Sequence, residues 1–158
     1  MIRLREWDYM NGEFSYGQRL GVGDIFQDEN LSEYQRLKAA WKELYGWSLR
    51  LMLPFMRARR VKRMLDGIKY WADVESKTLN FEPDDDAKKA GIALLSEEVG
   101  TLGTVKALAE KFKCDPDVIL GWQWGKVYGI LYTDLKEYEY HRRLDKVLKR
   151  KSNGRGRS

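Results

Sequence analysis

The sequence has one cysteine, one histidine, three prolines and no apolar run of membrane-spanning length. Each scarcity removes a class of protein. With Cys114 alone no intrachain disulfide forms, and with His141 as the single imidazole no zinc site of the usual Cys/His kind can be assembled. The longest apolar cluster, LRLMLPFM, is interrupted by Arg50 and Pro54, short of the roughly 18 apolar residues a span requires. The opening MIRLREWDYM lacks a signal-peptide apolar region, so a cytoplasmic protein with no membrane association is expected. GVG at 21–23 lacks the strand, spacing and lysine of a phosphate loop. Cys114 and His141 lie on what reads as one helix, roughly 40 Å apart if it is straight, too far for a nucleophile and its base. The expected roles are a small apolar residue for Cys114 and a partly buried helix residue for His141.

Rings and charges are plentiful by contrast. Six tryptophans, nine tyrosines and five phenylalanines in 158 residues indicate a folded chain with one fair-sized core, or two small helical halves sharing one. The formal charge of +5 is not spread evenly. From residue 141 onward eight basic residues face Asp145 alone, so the rest of the chain is close to neutral. A second basic knot, RARRVKR at 57–63, is offset by acidic runs such as EPDDD at 82–86.

The spacing of apolar residues predicts helices nearly throughout. Near the start, Asn11-Gly12 between aromatic flanks is a hairpin signal over 2–16, while Ser15 and Gln18 have capping-box spacing for a helix weakened by Gly17, Gly21 and Gly23. Both readings stand. Ser32 with Gln35, or Asn30 with Glu33, starts a clear amphipathic helix with Leu37, Trp41 and Leu44 inward, ended by Gly46. Pro54 opens another, whose apolar face is Ala58, Val61, Leu65, Ile68 and Ala72 joined by Met64 and Trp71, with Arg59, Arg60 and Arg63 on the far side.

After the connection TLNFEPDDDAKKAG, a run over 85–99 buries Ala90, Ile92, Ala93, Leu94 and Val99, and TLG at 101–103 stops it. Thr104 caps a short helix, VKALAEKFK. Asp115-Pro116 then starts a long one reaching about Lys151, bent near Gly121, Gly125 or Gly129. Trp124, Tyr128, Leu131, Leu135, Tyr138, His141, Leu144 and Leu148 follow one another on it at steps of three and four.

Residues 104–129 have helix-turn-helix texture. Ala109 falls at the tight crossing, and Leu108, Phe112, Ile119 and Trp122 fall on expected buried positions. The usual turn glycine is replaced by Lys113, and the reading helix would open with Asp115 and Asp117, two carboxylates facing a phosphate backbone. The stretch therefore reads as a structural helix pair. PDDDAKK carries the letters of a metal-dependent nuclease, but Asp84, Asp86 and Lys88 lie together at a helix start, where capping is their role. Nothing recommends an enzyme, a metal or a cofactor.

Trp122, Trp124, Tyr128, Tyr132, Tyr138 and Tyr140 crowd the last helix. Trp122 and Trp124 lie about 200° apart on the wheel, as do Tyr138 and Tyr140, so one set meets a second surface or rims a thick core. These six are the candidate partner-binding residues. The candidate basic contacts are Arg142, Arg143, Lys149, Arg150, Lys151, Arg155 and Arg157. They read first as a solvated helix end and tail, and secondly as a weak nucleic-acid contact.

LSEYQRLKAAWKELYG followed by VKALAEKFKCDPDVILGWQWGKVYGILYTDLKEYEYHRRLDKVLKRK resembles, in layout and size across most of the chain, the tail assembly chaperones of long-tailed bacteriophages. The resemblance implies a non-enzymatic, all-helical phage protein that coats the tape-measure protein during tail assembly and then leaves. It carries no motif, so no residue role transfers. The aromatic helix and basic end are where contact with the tape-measure protein or with neighbouring copies is placed, and Leu20 with GVGDIF could join it. The expected organisation is an all-α multi-helix bundle. It has an N-terminal half at 1–80, a connecting segment and helix at 81–103, a C-terminal half at 104–151 and a flexible basic tail at 152–158. The competing function is a small helix-turn-helix DNA-binding protein using 104–130 and the tail.

Overall fold

A computed structural model describes residues 12–46, 48, 54–79, 83, 89 and 92–155. They form α1 (Tyr16–Gln27), α2 (Glu33–Tyr45), α3 (Pro54–Thr78), α4 (Ile92–Phe112), α5 (Pro116–Leu120) and α6 (Trp124–Arg155), with no strand among them. The all-α expectation holds. Residues 2–11 of the suggested hairpin lie outside the described residues. Its remainder is no hairpin strand, because the competing helix start wins at Ser15. The Ser15 hydroxyl accepts from the Gln18 amide at 3.1 Å, and the Gln18 side chain accepts from the Ser15 amide at 3.0 Å.

Gln18 also donates through Nε2 to the carbonyls of Glu43 and Leu44, so one side chain opens α1 and satisfies the end of α2. The glycines that weaken α1 by propensity are where neighbours come close: a β-carbon at Gly17 would lie 3.3 Å from the Leu120 carbonyl oxygen. Packing overrides propensity there. Arg19 and Glu75, each mostly buried, tie α1 to α3, with Arg19 Nε donating at 2.8 Å.

In α2 the second capping box forms at Ser32 and Gln35, and Gly46 ends the helix in the left-handed region. Trp41 and Leu44 are buried and Leu37 is half-buried. In α3 the buried line is Met64, Gly67 and Trp71, while Ala58 and Ala72, expected inside, are exposed and Arg60 is half-buried. The helix is rolled from the expected face because burying Trp71 and Met64 removes more apolar area from water than burying two alanines.

Two expected boundaries move. α4 breaks at Gly100, whose φ is 50° and ψ −139°, and then runs through 101–103 without stopping. Thr104 is inside the helix, where its side chain hydrogen-bonds Tyr16 instead of capping. Val99, expected inside, is exposed, and the side chains at 90 and 92–94 lie outside the described residues. The expected single helix from Pro116 to Lys151 is two. The Asp115 cap with Pro116 at N1 forms, but α5 ends at Gly121 and α6 begins at Trp124, continuing to Arg155.

The break has a partner. Segment 12–16 runs antiparallel to 122–125: Tyr16 N–H donates to the Trp122 carbonyl at 2.8 Å, Trp124 N–H to Phe14 at 2.7 Å and Gly125 N–H to Gly12 at 3.0 Å. First-turn amides of α6, which have no acceptor inside their own helix, are thereby satisfied by backbone carbonyls from the other end of the chain. One hydrophobic cluster joins these elements, including Phe14, Trp41, Met64, Trp71, Leu108, Ile119, Trp124 and Val127.

Between α4 and α5, Lys113 has φ 52°. A β-carbon in the left-handed region costs about 1–2 kcal/mol, part of which glycine gives back through unfolded-chain entropy. Lys113→Gly is expected to raise the unfolding free energy by about 0.5–1 kcal/mol, read as a higher urea midpoint at unchanged slope. A lower midpoint would show that the lysine side chain is needed where it stands.

Candidate partner-binding face

At 32 residues α6 is about 48 Å long. Its first three turns pack on the core: Trp124 and Val127 are buried, and Tyr128 and Leu131 are half-buried. Trp124 stacks on Tyr16 with centroids 5.3 Å apart, and the Tyr128 hydroxyl lies 2.9 Å from Thr78 Oγ1. Burial pushes the Tyr16 phenol up from its ordinary range; Arg19 opposes this, Glu75 adds to it, and the hydrogen bond with Thr104 lowers it. This cluster is structural, so two of the six aromatic candidates, Trp124 and Tyr128, hold the helix to its own fold.

Trp122 is half-buried, edge-on to Phe112 at 5.0 Å, with Lys126 Nζ 3.6 Å above its ring. Tyr132, Tyr138 and Tyr140 are exposed. Tyr132 stacks on Tyr128 at 6.1 Å and Tyr140 lies edge-on to His141 at 5.5 Å. His141 is exposed, against the expectation of partial burial, while Cys114 packs half-buried at the core edge as expected. Among the basic candidates, Arg143 and Lys149 are exposed and Arg142 is half-buried; Arg143 Nε donates to the Glu139 carbonyl at 3.2 Å. The side chains of Arg150, Lys151 and Arg155, and all of Arg157, lie outside the described residues.

The apolar stripe of α6 does not stay on one side. At about 100° per residue, a step of four advances a side chain by about 40° past a full turn, and a step of three falls short by about 60°. Three consecutive steps of three, Leu135 to Tyr138 to His141 to Leu144, carry the pattern half-way round. Tyr140, Leu144, Val147 and Leu148, exposed by 56%, 38%, 48% and 53%, therefore lie about 150° from the side that Trp124, Val127 and Leu131 turn to the core. The residues from Trp124 to Leu148 that follow one another at steps of three and four thus form two seams on opposite faces.

The outer face extends inward as well as outward. Lys126, Gly129, Ile130, Thr133 and Glu137 share the phase of Tyr140 to Leu148, and with Phe112 of α4 they line a groove of about 430 Å³. A β-carbon at Gly129 would meet nothing within 4 Å, and Lys111 Nζ crosses to Asp134 at 2.6 Å. From Lys126 to Leu148 the face is about 33 Å long. Tyr140 is a candidate from the sequence, whereas Leu144, Val147 and Leu148 are not named there as outward residues; summing the wheel angles along the three- and four-residue steps shows the crossover.

The helix-turn-helix texture is real in part. Leu108, Ala109 and Ile119 are buried and the turn residue Lys113 is left-handed, yet Phe112 is exposed and Trp122 only half-buried. The would-be reading helix is five residues, with exposed Asp115 and Asp117 at its start. A helix of about 7.5 Å led by two carboxylates offers little to a DNA groove. A second cavity of about 500 Å³ is lined by Phe26, Tyr34, Leu37 and Leu65 with Glu33 and Arg36. Among the described residues no three His, Cys, Asp or Glu side chains gather as a metal site, and no helix is long and apolar enough to cross a membrane. No protein family, curated protein or solved structure matches the chain.

Proposed function

We propose that this chain is a non-enzymatic phage morphogenesis protein, a tail assembly chaperone that holds the tape-measure protein in the host cytoplasm, and that the outer face of α6 is its contact surface. One observation supports this reading above the rest: Tyr140, Leu144, Val147 and Leu148 stand exposed on the side of a long helix that faces away from its own core. A soluble chain gains nothing from turning four large apolar side chains to water, and aromatic and aliphatic anchors on a helix suit a helical partner laid alongside. The resemblance in layout to tail assembly chaperones names the partner. The basic residues from Arg142 onward suit an acidic neighbour on that partner.

Co-expression with a phage tape-measure polypeptide tests it. The wild-type chain is expected to keep that polypeptide soluble and to co-purify with it, whereas Leu144→Glu with Val147→Glu is expected to lower recovery of the complex at least tenfold. Both positions are exposed, so the variant should fold. A wild-type chain that neither solubilises nor retains the polypeptide, or equal recovery with the double variant, removes the proposal.

A further inference from the structure

We infer that the side of α6 opposite Tyr140 to Leu148 is a second contact surface, which takes the phosphates along the major groove of double-stranded DNA without regard to sequence. This surface is separate from the outer face and does not depend on what lies there. Trp124, Val127 and Leu131 turn this side of the helix to the core. Further along, cations take it over. Counting about 100° per residue from Tyr140, Lys149, Arg142, Lys146 and Arg143 fall at about 180°, 200°, 240° and 300°, and their mean direction is about 155° from that of Tyr140, Leu144, Val147 and Leu148. Arg142 is half-buried, and every residue from 143 to 149 is exposed, so the helix stands clear of its own fold where the cations are. The helix dipole does not account for them, because its effect is confined to the last turn and Lys146 lies more than two turns before Arg155. Carboxylates do not account for them either. Among the described residues Lys146 and Lys149 form no ion pair, and Arg143 Nε donates to a carbonyl, that of Glu139. The Glu139 carboxylate, on the same arc at about 260°, is held by Lys136 at 3.0 Å, and Asp145 at about 140° points past the edge of the arc.

The chemistry of the arc selects the partner. Between residues 142 and 149 it carries no apolar or aromatic side chain, the kind of anchor on which a protein interface depends. A lipid surface would take the apolar side instead, and Arg142, Lys146 and Lys149 would then point about 145–175° away from it, into water. Duplex DNA needs only the cations. Its major groove is about 12 Å wide, admits one α-helix with its side chains, and has phosphates along both walls. Lys149 and Arg143, about 120° apart, face the two walls, with Lys146 between them. The major groove of A-form RNA is too deep and narrow for such a helix. With the cations in the groove, the outer face looks away from the DNA and stays open to a protein.

Fluorescence anisotropy of a labelled mixed-sequence DNA duplex of about 20 base pairs, titrated with the full chain from about 50 mM to about 200 mM salt, tests the inference. The expected Kd is about 1–100 µM at about 0.1 M salt, with a slope of log affinity on log salt of about −3 to −4, as four phosphate contacts imply. Lys146→Glu with Lys149→Glu is expected to weaken binding at least about tenfold and to flatten the slope by about 2. Leu144→Gln with Val147→Gln, on the other side of the helix, should leave the Kd within about twofold, and Arg155→Gln with Arg157→Gln within about threefold. An RNA duplex of the same sequence should bind at least about fivefold more weakly. Circular dichroism should not change in any variant. Absence of DNA binding at about 50 mM salt overturns the inference, and so does retention of the chain by phosphatidylserine vesicles in its place. Equal affinity for the RNA duplex overturns it too, as does a loss in the 144/147 or the 155/157 variant as large as that in the 146/149 variant. A chain that binds DNA in this way but does not retain the tape-measure polypeptide removes only the chaperone function.

Discussion

Trp71→Ala is expected to lower the unfolding free energy by about 3–5 kcal/mol, a large part of the about 5–15 kcal/mol that a folded domain commonly possesses. Trp71 is buried in the middle of α3 and meets four rings edge-on: Phe14 at 6.3 Å from segment 12–16, Trp124 at 6.1 Å and Tyr128 at 5.4 Å from α6, and its own neighbour Tyr70 at 5.7 Å. The indole is thus the surface on which segment 12–16 and the start of α6 both rest. Truncating it removes the transfer free energy of the largest side chain and leaves a cavity between elements that cannot all move inward together, because backbone hydrogen bonds lock 12–16 to 122–125. Thermal unfolding followed by circular dichroism should show a midpoint lower by roughly 10 °C or more. Trp71→Phe should lose less than half as much, since a ring still fills most of the site. A loss under about 1 kcal/mol for the alanine variant would mean that the aromatic cluster does not hold α6 in place, and the orientation of its outer face would lose its support.

What could be seen in the sequence, and what could not, divides by range. Both capping boxes, the Gly46 stop and the Asp115-Pro116 start form as expected, because each rests on hydrogen bonds or dihedral preferences within four residues. A bend near Gly121 is expected from the sequence, but that it is a full break was hidden, since Gly121 alone does not stop a helix; carbonyls from Gly12 and Phe14, more than a hundred residues away, supply the acceptors that let α6 begin afresh. The roll of α3 was hidden for a related reason. Alanines at 58 and 72 fit the apolar period, but Trp71 outranks them only once there are rings for it to meet. The candidate face was half-legible. That Trp122 and Trp124, and Tyr138 and Tyr140, cannot look the same way follows from the helical period, and so does the crossover of Leu144 and Leu148; which of the two sides meets the core, and how far along α6, needed the packing.

The sharpest test of how α6 is anchored is a single methyl group. At Gly12 φ is +67°, and a β-carbon would lie 2.8 Å from Trp71 Cζ2 and 2.9 Å from the Gly125 amide nitrogen. Gly12→Ala combines two costs, the left-handed backbone at about 1–2 kcal/mol and overpacking at about 1–3 kcal/mol, partly relieved by the entropy that alanine removes from the unfolded chain. A net loss of about 2–4 kcal/mol is expected. Gly46→Ala supplies the control, for there φ is +70° and a β-carbon meets nothing within 4 Å, so only the conformational part, about 1 kcal/mol, should appear. The difference between the two urea-derived losses isolates the contact with Trp71 and the α6 backbone. In the double variant Gly12→Ala with Trp71→Ala the losses should fall short of additive by about 1 kcal/mol or more, because the truncated indole makes room for the methyl. Strict additivity, or equal losses at Gly12 and Gly46, would mean that segment 12–16 does not lie between Trp71 and the first turn of α6.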